Sequence, residues 1–272
     1  MASVEYGFHF VCVVTSCSSL GIYLKQRKNK NVVPSLVLYI IISTLFGVAG
    51  LLDSTMHILQ EHRLVAPEAD SSNWVFLLKT LSMDFVYVSG ATLALDRVLI
   101  MSIHMKYTSW KLGKRLSEAA LFFCFATSFF VVTSKILLPF EVQITGLSTT
   151  LMLQYLGNVY DIVVALEILL HVLFCVRYYR FVGNQQHSYN LTRISKANHI
   201  TLFQAVSETT FCLVPKLLYK ANVLFFDADV LWINVVSIHF TYYFAFHIAL
   251  TSVFIIYKLT TQRVTYVVRR AS

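Results

Sequence analysis

Asp96 and Arg97 stand side by side near the end of a long apolar stretch, Leu81 to Tyr107, just before Lys106, Lys111, Lys114 and Arg115. A charge pair at the end of an apolar helix costs far less than one at mid-bilayer, and ionisable residues near membranes are functional candidates by default. The plain alternative is an arginine that snorkels to an interface. A second group of residues is suited to binding. Lys79 lies eighteen residues before Arg97, about 27 Å away along one helix. Lys216 follows Pro215, and His239, Tyr243 and His247 recur at a spacing of four, which puts them on one helical face. An ammonium facing lipid is costly, so both lysines should turn inward, towards a water-filled cavity or onto a carboxylate. Asp53, Asp84, Asp161 and Glu208 are the available acidic partners. His239 and His247 are about 12 Å apart on their helix, too far to share a metal whose ligands sit about 2.0–2.2 Å from it. A metal would need ligands from different helices, for example Asp53, His57 and Asp84, and none is expected.

The elements that carry these residues are set by composition. Of 272 residues 57% are apolar and 13% charged, against roughly a quarter charged in soluble domains, and the mean hydropathy is +0.65. The apolar residues come in blocks of about 20 or more, the length a helix needs to cross a bilayer. The alternating ten-residue strands of a barrel are absent. These features predict an all-α integral membrane protein. Seven spans are expected, at 5–24, 32–58, 74–103, 118–139, 151–179, 199–220 and 231–257, forming a single seven-helix domain over 1–272. The tail 258–272 is basic and reads as a short helix, a segment lying on an anionic leaflet or an unstructured end.

A net charge of +8 could signal nucleic acid, but the basic residues lie in short clusters between apolar blocks, a pattern that sets topology instead. Seventeen of the 22 Lys and Arg fall in or beside the first, third and fifth loops and the tail, with only Asp96 and Glu118 among the acids. The N-terminus is therefore expected outside and the C-terminus in the cytosol. The N-terminus lacks a basic lead and a cleavage site, so its first apolar block reads as a retained span. The sequon at Asn190 falls in a loop assigned to the cytosol and is read as chance. Cys12, Cys17, Cys124, Cys175 and Cys212 all lie inside spans, without metal-type spacing, and are expected as free thiols.

From Asp96 the chain reads DRVLIMSIHMKY, which is similar to the rhodopsin-like pattern D-R-Y-x-x-x-x-x-P-x-x-Y, with Val98 for the tyrosine, His104 at the proline and Tyr107 in register. Cys212-Leu213-Val214-Pro215 resembles C-W-x-P, and Tyr257 aligns with the tyrosine of N-P-x-x-Y, whose Asn-Pro is here Val253-Phe254. The usual cysteine pair between the third span and the following outer loop is missing. With its short loops, the sequence resembles a G-protein-coupled receptor, most of all the nematode serpentine chemoreceptors of class BC.

The resemblance implies a rhodopsin-like seven-helix architecture without enzymatic activity or cofactor. It implies a receptor for a small odorant-type molecule, coupled to a heterotrimeric G protein, in the plasma membrane and by family habit in the cilium of a chemosensory neuron. In such receptors Asp96 would restrain Arg97, and Tyr107, Pro215 and Tyr257 would belong to the activation switch. Lys79, Met83, Lys216, His239, Tyr243 and His247 would face the ligand. Pro215 removes a backbone hydrogen bond and kinks its helix, which serves either a moving lever or packing alone. A retinal protein would need a lysine in the seventh span, and 231–257 has none. A transporter or channel remains the alternative because carboxylates are buried, although no repeat or matched pair of broken helices is present. An intramembrane metal-dependent hydrolase is the more remote one.

Overall fold

In lipid a backbone amide has no water to bond, so a spanning segment must satisfy its own polar groups, and the helix does so within one stretch of chain. The computed structural model describes residues 2–26, 33–65, 70–103, 107, 110–145, 149–184, 191–215, 217–218 and 240–271. Among these residues the regular structure is helical throughout. Seven helices follow in order: α1 (Ala2–Gln26), α2 (Pro34–Glu61), α3 (Asp70–Ser102), α4 (Leu112–Thr145), α5 (Thr149–Asn184), α6 (Leu191–Glu208) and α7 (Phe240–Ala271). A π turn, Thr209–Leu213, continues α6.

Among the described residues six segments are long and apolar enough to cross a membrane: Ser3–Lys25, Pro34–Glu61, Trp74–Ser102, Leu112–Thr133, Val159–Arg180 and Thr241–Thr260. This is a multi-pass helical membrane protein. On α4, Phe122, Phe125 and Phe129 are each at least 65% exposed and repeat at helical spacing, an apolar stripe that only lipid would cover at low cost.

The expected boundaries shift where charge disguises helix. The stretch 104–117 was expected as loop, yet α4 starts at Leu112, and Lys114 pairs with Glu118 one turn on, at 3.5 Å. α4 also runs through Pro139 to Thr145, and α6 starts at Leu191, ahead of the expected 199. The basic tail is the continuation of α7 as far as Ala271. The loop expected at 221–230 and Asn190 of the sequon lie outside the described residues. All five cysteines are free.

The chain divides into two compact units, one of Met1–Val32, Ile40–Ser82 and Gln185–Ser272, the other of Val33–Tyr39 and Met83–Asn184. In the first, α1 packs along α7, and α7 along α6. Phe46 of α2 makes edge contacts with His9 of α1 at 5.3 Å and with Phe244 of α7 at 5.0 Å. Gly47 lets α1 approach closely, since a Cβ there would lie 2.9 Å from Val13 Cγ2 and 3.3 Å from the Val13 backbone nitrogen. Buried hydroxyls bond back to their own helix, as Ser16 does to the Cys12 carbonyl at 2.7 Å. In the second unit, Ala91 and Ala94 of α3 pack with Leu170 of α5 beside Leu95.

Candidate functional site

Asp96 sits on the last turns of α3, fully buried, and Arg97 beside it is 3% exposed. A carboxylate in such a place must be paired and hydrogen-bonded. Three groups do this. The Arg97 guanidinium contacts Asp96 Oδ2 through Nη2. Ser35, on the first turn of α2, donates its hydroxyl to the same oxygen at 2.7 Å. Tyr107, just beyond α3, donates its hydroxyl to Oδ1. Burial, reinforced by the neighbouring carboxylate, pushes the Tyr107 hydroxyl above its ordinary range and keeps it in the protonated form that donates.

The return of the chain makes this possible. Lys111 takes φ 50°, a left-handed conformation that turns the backbone into α4. Gly113 then lies against the pair: a Cβ there would overlap the Tyr107 hydroxyl and approach Asp96 Oδ1 to 2.8 Å. Glycine at 113 is what lets tyrosine, carboxylate and the first turn of α4 meet. The arginine keeps a spare donor, for Nε is buried without a hydrogen-bond partner among the described residues. The arrangement is a carboxylate that holds a buried guanidinium and has two outside donors of its own.

The second cluster lies in the other unit. Lys79 Nζ meets Glu5 Oε1 at 2.9 Å and Asp53 Oδ2 at 2.5 Å, joining α3 to α1 and α2. Asp53 was among the acids expected for this lysine, and it is thereby engaged by an ammonium rather than free for a metal. Glu5, 74 residues away, carried no local signal that marked it as a partner. His9 Nε2 stands 3.7 Å from the same Glu5 oxygen, and His57 Nε2 3.8 Å from Asp53 Oδ2.

The remaining expected residues are dispersed. Lys216 and His239 lie outside the described residues. Met83 is half-buried on α3. Tyr243 and His247, expected on one common face, differ in surroundings: Tyr243 is 37% exposed, whereas His247 is fully buried, with Nδ1 3.0 Å from Ser207 Oγ. Four residues advance a helix by forty degrees beyond a full turn, enough at the edge of a contact to separate a wet or lipid-facing side chain from a packed one. Ser207 also lies 3.3 Å from Thr251 Oγ1, a polar contact between α6 and α7 that the sequence reading missed. Pro215 is helical, and the expected disturbance appears upstream, as the π turn that ends with Val214 N–H bonded to the Thr209 carbonyl. Proline lacks an N–H and its ring crowds the preceding turn, so a widened turn there relieves both. Tyr257 is exposed, with Lys258 5.8 Å from its ring.

No protein-family model, no curated protein and no solved structure matches this chain.

Proposed function

We propose that this chain is a G-protein-coupled chemosensory receptor of the serpentine type, without enzymatic activity. A small odorant-type molecule binds towards the end of α3 that carries Lys79, and a heterotrimeric G protein engages the end that carries Arg97. The N-terminus is outside and the C-terminus cytosolic, as the distribution of basic residues argues, in the plasma membrane of a sensory cell. The observation that carries this reading is the Asp96 carboxylate, buried and holding Arg97 while itself held by Ser35 and Tyr107. A buried arginine with an unused donor has binding capacity that the resting contacts keep from a partner, and the π turn before Pro215 gives α6 a place to bend.

The Lys79 charge is already met by two carboxylates, so the lysine is not free to receive an anionic head group. The ligand is then a neutral or cationic molecule. The deciding experiment compares Asp96→Asn and Arg97→Ala with the natural chain in cells carrying a promiscuous G-protein reporter. Asp96→Asn is expected to raise basal signalling and Arg97→Ala to weaken coupling at normal surface level. If both variants signal like the natural chain, the pair is an interfacial salt bridge and the receptor reading loses its support.

Buried ionisable side chains elsewhere, Glu167 and His171 of α5 among them, favour a transporter or channel as the second reading. Substrate flux through the reconstituted chain, with no G-protein response, would establish it.

A further inference from the structure

Glu5, Asp53 and Lys79 bring two carboxylates to one ammonium, so the set carries one negative charge in excess. His9 is turned towards it. The imidazole is fully buried, neither ring nitrogen has a hydrogen-bond partner among the described residues, and Nε2 points at Glu5 Oε1 from 3.7 Å, beyond hydrogen-bond length. The sequence makes room for this ring: a Cβ on Gly50 would run into its Cε1 and Nδ1, and Phe46 meets it edge-on. A buried polar ring without a partner is costly unless it serves a purpose. An aromatic wall is also present. Tyr242 stacks on Phe8 at 6.0 Å, and Phe8 directly precedes His9 on α1. The cluster lies near the surface of its unit, for the His57 side chain beside Asp53 is 49% exposed.

We propose that this cluster binds a small organic ammonium ion, a primary alkylamine in its protonated form. The Lys79 ammonium shows that Glu5 and Asp53 are suitable partners for such a group. The excess negative charge attracts a second cation and repels carboxylates. The bare His9 nitrogen accepts one N–H of the ligand, and the aromatic rings suit an ammonium and its alkyl chain. The proposal deepens the receptor reading by naming its ligand class, and it rests on that reading only for what binding does downstream.

The test uses the purified full chain in lipid nanodiscs without G protein, titrated calorimetrically and melted with n-butylammonium chloride, n-butanol or sodium butyrate at equal ionic strength. Butylammonium is expected to bind and raise the melting temperature, while the alcohol and the carboxylate do neither. Glu5→Gln, which removes a charge-assisted bond, should weaken binding about tenfold or more. His9→Phe should weaken it without lowering the melting temperature of the free chain, because a ring still fills the place. Lys79→Met should tighten it by removing the internal competitor; should that variant fail to fold, Glu5→Gln and His9→Phe decide. Absence of butylammonium binding to the natural chain, equal binding of butanol or butyrate, or binding untouched by both Glu5→Gln and His9→Phe would overturn the proposal. Binding with no response in the G-protein reporter would sink the receptor reading alone, and responses to other odorants without amine binding would sink this proposal alone.

Discussion

Alanine at Gly113 probes the Asp96 site without altering any charge. On helix propensity the change should help, by about 1 kcal/mol. The structure predicts the opposite. The new Cβ overlaps the Tyr107 hydroxyl and comes within 2.8 Å of Asp96 Oδ1, and the carboxylate cannot retreat because Ser35 and Arg97 hold its other oxygen. Tyr107 must therefore leave, and a hydrogen bond to a charged group contributes about 1.5–3 kcal/mol. The balance is a loss of about 0.5–2 kcal/mol where propensity alone predicts a gain. Thermal unfolding in nanodiscs measures the loss, and on the proposed receptor reading nucleotide exchange on a reconstituted G protein should show raised basal activity, since one of the bonds that fix the Asp96–Arg97 pair is gone. In a Tyr107→Phe background most of the penalty should vanish, because the overlapping oxygen is absent. A Gly113→Ala chain that melts at or above the natural one, or that pays the same penalty with and without the Tyr107 hydroxyl, would refute the reasoning.

Lys79→Met leaves the buried Asp53 and the partly buried Glu5 without their cation and should destabilise the chain by about 3–5 kcal/mol, read as lower surface expression and an earlier melt; an unchanged melt would show that the pair is solvated. Gly47→Ala should cost about 1–3 kcal/mol by forcing α1 from α2, whereas Gly21→Ala, whose Cβ meets nothing within 4 Å, should be neutral or gain slightly; equal melts would remove the close approach at Gly47. Replacing all five cysteines with Ala or Ser should leave folding and non-reducing gel mobility nearly unchanged, and a reductant-sensitive shift in the natural chain that the replacement abolishes would contradict the free thiols.

The sequence by itself determined that the chain is helical and membrane-embedded, because crossing lipid requires long apolar blocks in which each backbone group is satisfied locally. It also placed Asp96 and Arg97 side by side, but neighbours on a helix do not face each other, and their ion pair is a finding of the structure. It misplaced the start of α4, because Lys114 and Arg115 read as loop, whereas Lys114 pairs with Glu118 along a helix. What only the tertiary structure decided is which helices bring which polar groups together. Ser35 reaches Asp96 across 61 residues, and Glu5 reaches Lys79 across 74. Helical periodicity states which side chains share a face but not which neighbour that face meets, and a helix in lipid is apolar nearly all round, so even the face is weakly marked. The same limit hid the tasks of Gly50 and Gly113. A glycine advertises missing bulk, and only the packed neighbours, His9 in one case and Tyr107 with Asp96 in the other, show what the space is for.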